Sequence, residues 1–201
     1  MEFLRQTLAV RVTKKYQDEV EFSNGEKLFL DVSFNPGHHV TISGEVVALP
    51  RGEWCKDTRG RWMKQELELG DHVYFNYLTV DEDNLVTGEK DVYLVDLENV
   101  FCKITSDGIK PVAGHVLIEP KAQLEKVGSI WVGKPEPSEN EGFVRHIGVP
   151  YKDEEDLGLV NGDLVYFHDR FAFLNKIEDV DYYVMKQEDI EGKIESVGGT
   201  T

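Results

Sequence analysis

Short runs of alternating apolar and polar residues recur along this chain. Val73 and Phe75 alternate with His72 and Tyr74, and Val165 and Phe167 keep the same phase about ninety residues later. A period of two predicts strands with those valines and phenylalanines turned inward. The runs are three to six residues long and bounded by Gly, Asn, Asp or Pro. Many short strands at that spacing predict an all-β chain built as small barrels or sandwiches. Helix is expected only as single turns near Asp96–Val100 and Gln187–Ile190.

The pattern is written twice. Gly70-Asp71-His72-Val73-Tyr74-Phe75 returns as Gly162-Asp163-Leu164-Val165-Tyr166-Phe167, five of six positions identical at an offset of 92. Flanking segments repeat in the same order. Leu8–Val12 parallels Gly114–Ile118, Gly44–Val47 parallels Gly142–Arg145, and Asp91–Val95 parallels Asp181–Met185, at offsets of 106, 98 and 90. Two tandem domains are predicted, 1-105 and 106-201, meeting at the turn-forming Ser106-Asp107-Gly108. The glycine of each Gly-Asp pair is expected at positive φ, where a bend is free of steric cost.

Composition narrows the function classes. With 38 acidic and 22 basic residues the net charge is −16, divided almost evenly as −7 and −9 between the halves. No basic stripe exists to engage nucleic-acid phosphate, and anionic membrane surfaces are equally disfavoured. No apolar run reaches the length of a membrane span. Acidic residues from Glu2 onward and only two cysteines, Cys55 and Cys102, fit a cytoplasmic protein with neither a signal nor a transit sequence.

In order and spacing these segments resemble the GroES-type co-chaperonin family. In the second half Ile109-Lys110-Pro111-Val112 leads into Val116-Leu117-Ile118. Then come Gly128-Ser129-Ile130-Trp131-Val132-Gly133, Gly142-Phe143-Val144, Asn161–Phe167 and a closing strand running into an acidic, Ile-containing tail. The first half matches through Val10–Val12, Gly44–Val47, Gly70–Phe75 and Tyr93–Ile104. The resemblance implies two tandem GroES-like β-barrels with long flexible loops and a homo-oligomer. It also implies a co-chaperonin that caps the ATP-bound ring of a GroEL-type chaperonin and assists protein folding. It implies neither a cofactor nor an enzymatic activity. A GroES-like structural or assembly protein without chaperonin binding is the rival expectation.

The family binds its ring through a hydrophobic tripeptide in a mobile loop. In the second half the resemblance puts that loop at 119-141 and implies Ile130, Trp131 and Val132 as the contact residues. In the first half the loop is 13-43, 31 residues against 23, and Leu28, Phe29 and Leu30 stand in the tripeptide's place. Read from the residues alone, Ile130–Val132 also suits a buried strand. Val20–Phe22 and Leu28–Leu30 flank an Asn-Gly pair and also suit a hairpin. Residues 48-69, with Trp54, Cys55 and Trp62, correspond to the family's roof hairpin, and the second half is much shorter there.

Ordering such a loop offsets much of what its apolar residues gain on docking, so each site binds weakly. Several loops joined in one particle restore strong attachment through effective concentration. Other chemistry finds little support. His38 and His39 are adjacent without partners at zinc-ligand spacing, so no metal is expected. The fingerprint of a dinucleotide-binding domain is absent, which sets the chain apart from dehydrogenases that carry a GroES-like barrel.

Overall fold

The structure is a computed structural model. It describes residues 6–14, 19–21, 27–29, 41–127, 130–152, 154, 156–171 and 174–194, with side chains for 6–13, 42–123, 136–152, 154, 156–170 and 174–194. Sixteen strands are formed among them. The first half contains β1 (Thr7–Lys14), β2 (Glu19–Glu21), β3 (Lys27–Phe29), β4 (Thr41–Ala48) and β5 (Trp54–Lys56). It continues with β6 (Trp62–Lys64), β7 (His72–Asn76), β8 (Val92–Asp96) and β9 (Val100–Thr105). The second half contains β10 (Gly108–Pro111), β11 (His115–Val127), β12 (Ile130–Ile147) and β13 (Leu164–Phe167). It ends with β14 (Leu174–Ile177), β15 (Val180–Lys186) and β16 (Ile190–Lys193). The expected helical turns are 3-10 turns at Leu97–Asn99 and Gln187–Asp189.

Two six-stranded sheets result, ordered β10-β9-β7-β4-β1-β8 and β14-β15-β11-β12-β13-β16. The run β9-β7-β4-β1-β8 in one is matched strand for strand by β16-β13-β12-β11-β15 in the other. Closed barrels were expected, but neither order returns on itself among the described residues. The first sheet's end is extended by β10 and the second's by β14. All five shared strands nevertheless turn side chains into one core. In the first half these include Leu8, Val10, Ile42, Val46, Phe75, Val95 and Val100, and in the second Ile118, Val144, Phe167, Tyr183 and Met185. Val73, Phe75, Val165 and Phe167 are fully buried, the face their alternation predicted.

Register corrects one sequence pairing. Val10 lies opposite Tyr93 and Ile118 opposite Tyr183, so the opening strands match at an offset of 108, not 106. A slip of two leaves every side chain on its own face, which makes it invisible to an alternation pattern.

The Gly-Asp turn is the same device in both copies. Gly70 and Gly162 have φ of 88° and 97°. Their N–H groups donate to the carbonyls of Val46 and Val144, whose own N–H groups donate back to Asp71 and Asp163. Each aspartate carboxylate also accepts a backbone N–H three residues before it, from Glu68 and Val160, at 2.8 Å.

Candidate functional site

β11 and β12 are the longest strands and pair from Val116↔Ile147 out to Val127↔Ile130. Only their inner ends belong to the sheet. β15 pairs with His115–Ile118 and β13 with Glu141–Phe143. Beyond Pro120 and Glu141 the two strands pair only with one another, forming an arm. The sequence predicted a long flexible loop over 119-141, and the described backbone of that stretch, 119–127 and 130–141, forms a two-stranded ladder. Pro137, opposite Ala122, is compatible with it because each strand of an isolated ladder keeps one edge free of pairing.

The root of the arm is fixed by specific contacts. Gln123 Nε2 donates to Ser138 Oγ at 2.7 Å, and Tyr183, inside the core, donates its hydroxyl to the Ser138 carbonyl at 2.9 Å. Arg145 and Glu119 pair across the strands at 2.6 Å. Burial holds the Tyr183 hydroxyl up at about 12, so it remains a donor at any ordinary pH.

The backbone of Ile130, Trp131 and Val132 lies at the outer end of the arm, opposite Val127, Lys126 and Glu125. Their side chains lie outside the described residues. In the first half, Leu28 and Phe29 sit on β3, paired with β2 in a separate hairpin, Val20 opposite Leu28 and Glu19 opposite Phe29. This is the hairpin the Asn-Gly pair suggested. Leu30 lies outside the described residues, as do His38 and His39. No described group of three or more His, Cys, Asp or Glu is arranged to hold a metal ion, and no described helix is long and apolar enough to cross a membrane.

The halves meet over an interface that sequence reading missed. β10 leaves the Ser106-Asp107 turn and pairs with β9, Ile109 opposite Ile104, so the second half's first strand completes the first half's sheet. Cys102, Leu117, Ile177 and Tyr182 bury one another there, with Phe101, Ile104 and Val184 packed around them. At one end Tyr74 donates its hydroxyl to Glu178 at 2.9 Å. Burial and that carboxylate push the Tyr74 phenol up to about 12.

At the other end cations cross in both directions. Arg61 of the first half pairs with Asp57 at 2.8 Å and reaches Glu154 at 2.9 Å and Glu188, both in the second half. Burial opposes its charge, but Glu188 and Asp57 hold its pKa above the usual arginine value. Lys186 of the second half donates to the Ala113 carbonyl at 2.6 Å and the Glu98 carbonyl at 3.2 Å. Tyr151 lies between these systems, 4.3 Å from the Arg61 guanidinium and 5.6 Å from the Lys186 ammonium, ring centre to cation. Isolated charges on separate segments carry no periodic signal, so only the fold brings them together.

The matched family covers this second half from its first strand to its last. Residues 108–194 match the chaperonin 10 Kd subunit family. The matched region opens at Gly108, where β10 begins, and closes just beyond β16, so the whole second sheet and the arm fall within it. The second half therefore carries a GroES-type fold. No match was found among curated proteins.

Proposed function

We propose that this chain is a co-chaperonin of two GroES-like halves that caps a GroEL-type chaperonin ring in the cytoplasm and assists ATP-dependent folding. The family match over residues 108–194 carries this reading. The repeated strand order and the duplicated Gly-Asp turn support a GroES-like first half as well. The chain itself does no chemistry in this reading, and the nucleotide belongs to the ring. Contact is made by Ile130, Trp131 and Val132 on the arm, with Leu28, Phe29 and Leu30 as the first half's counterpart. Copies join through β16. Among the described residues it has one strand neighbour, β13, whereas its counterpart β9 has two. An open edge of this kind accepts a strand from another chain.

Gel filtration with a GroEL-type ring in the presence of ATP tests the reading. The folded protein is expected to elute with the ring, and its failure to do so overturns the proposal in favour of a structural or assembly role. The double variant Ile130→Ala, Trp131→Ala is expected to lose the complex while its Tm stays within a few degrees. A collapse in Tm instead would make the tripeptide a core element rather than a contact.

A further inference from the structure

The β5–β6 hairpin occupies the stretch between β4 and β7, and residues 148–161 occupy the equivalent stretch between β12 and β13. The two equivalent segments dock on one another. On its inner side the hairpin supplies Cys55 and Met63 to the first half's core, which Tyr151 of the second half also enters. On its outer side the Trp62 carbonyl accepts the Lys152 N–H at 2.9 Å, and the Lys152 ammonium lies 5.6 Å from the Trp54 ring centre. Arg61 and Arg59 bind Glu188, and Arg61 also binds Glu154. Tyr151 is seated by Gly114, where any Cβ would stand 3.0 Å from its ring at a φ of +73°.

We propose that the β5–β6 hairpin is an intramolecular clasp that holds the two halves at one fixed angle. Among the described residues only the first half has such a hairpin, and only the second half has the short segment with Tyr151 that receives it. The contact therefore forms inside a chain and has no equivalent between one chain and the next. Any assembly of these chains then alternates two kinds of junction, clasped within chains and clasp-free between them. A hairpin engaged in this way is not offered to a neighbouring chain as a roof. The inference stands whether or not the protein binds a chaperonin, because its test uses the isolated chain.

Hydrogen exchange at three backbone amides tests it. The Lys152 amide, bonded to Trp62, reports the clasp. The Asp57 amide, bonded to the Arg61 carbonyl, reports the hairpin, and the Val144 amide, bonded to Asp163, reports the second half. The double variant Glu154→Gln, Glu188→Gln removes the second-half carboxylates that Arg59 and Arg61 reach and leaves Asp57 to hold Arg61. Exchange at Lys152 is expected to accelerate about tenfold or more, with Asp57 and Val144 unchanged. Arg61→Ala is expected to accelerate Lys152 at least as much, also without change at Val144. Unchanged exchange at Lys152 in both variants overturns the clasp. So does acceleration of all three amides together, which would assign these charges to the fold of a half rather than to its docking.

Discussion

Lys103 and Lys193 occupy the same place in the two halves and make the same ion pair, to Asp71 at 2.9 Å and Asp163 at 2.7 Å. Their surroundings differ. The Lys103 side chain is 10% exposed and that of Lys193 is 45% exposed. Lys103 lies on β9, flanked by β10 and β7, and it donates as well to the Glu66 carbonyl at 2.7 Å. Lys193 lies on the open edge of β16. One motif thus carries a covered lysine in the first copy and an exposed one in the second, because β10 of the second copy flanks β9, whereas among the described residues no strand flanks the outer edge of β16.

Where the halves share a device, they should fail alike. Gly44 and Gly142 are equivalent, and a Cβ at either would stand 2.5–2.6 Å from a carbonyl oxygen of the neighbouring strand, Arg11 or Glu119. Backbone cannot yield as a side chain can. Gly44→Ala and Gly142→Ala are each expected to cost about 3 kcal/mol or more in denaturant titration. A severe loss in one half with none in the other would break the equivalence of the two sheets.

Where the copies differ in cover, they should part. Lys103→Met is expected to cost about 2 kcal/mol, since it leaves both Asp71 and the Glu66 carbonyl without a largely covered cation. Lys193→Met is expected to cost less than about 1 kcal/mol, as for other exposed pairs. Salt sharpens the contrast, because it screens only the exposed pair. Equal losses in the two variants would mean that β10 does not shield the first copy.

Much of the shared part was legible in sequence. The inward set Val73, Phe75, Val165 and Phe167 follows from period two, and positive φ at Gly70 and Gly162 follows from the Gly-Asp turn. The junction was not legible. Arg61 and Tyr151 come from separate loops and Lys186 from the end of β15, and their meeting depends on the angle between two sheets, which no local pattern encodes. The ladder of the arm was not legible either, because Gly128, Gly133, Pro135 and Pro137 in a long polar stretch suggest a loop. A hairpin pairing only with itself escapes the constraint that keeps proline out of a sheet interior.

The finest contrast lies in one matched ladder pair, Thr7 opposite Asp96 in the first half and His115 opposite Lys186 in the second. The first is a hydrogen bond of 2.8 Å between neighbours. The second carries a lysine buried at the junction, facing Glu98, Asp57 and Arg61 of the first half and His115, Tyr151 and Asp189 of its own. Burial is the main cause that brings its pKa from 10.5 down to about 7, with Glu98 opposing. Between those values the unfolded chain holds the proton and the folded chain does not, so this lysine makes stability rise with pH across that window. The rise is at most about 1.4 kcal/mol per pH unit. The buried thiols act in the opposite sense near the top of the window, Cys102 being raised by burial to about 12. The difference between the wild type and Lys186→Met isolates the lysine from them. Urea titrations from pH 7.5 to 9.5 are expected to show that difference growing with pH, while Thr7→Val lowers stability by the same amount throughout. A pH-independent difference at Lys186 would mean that water reaches its ammonium and that the junction is looser than its contacts require.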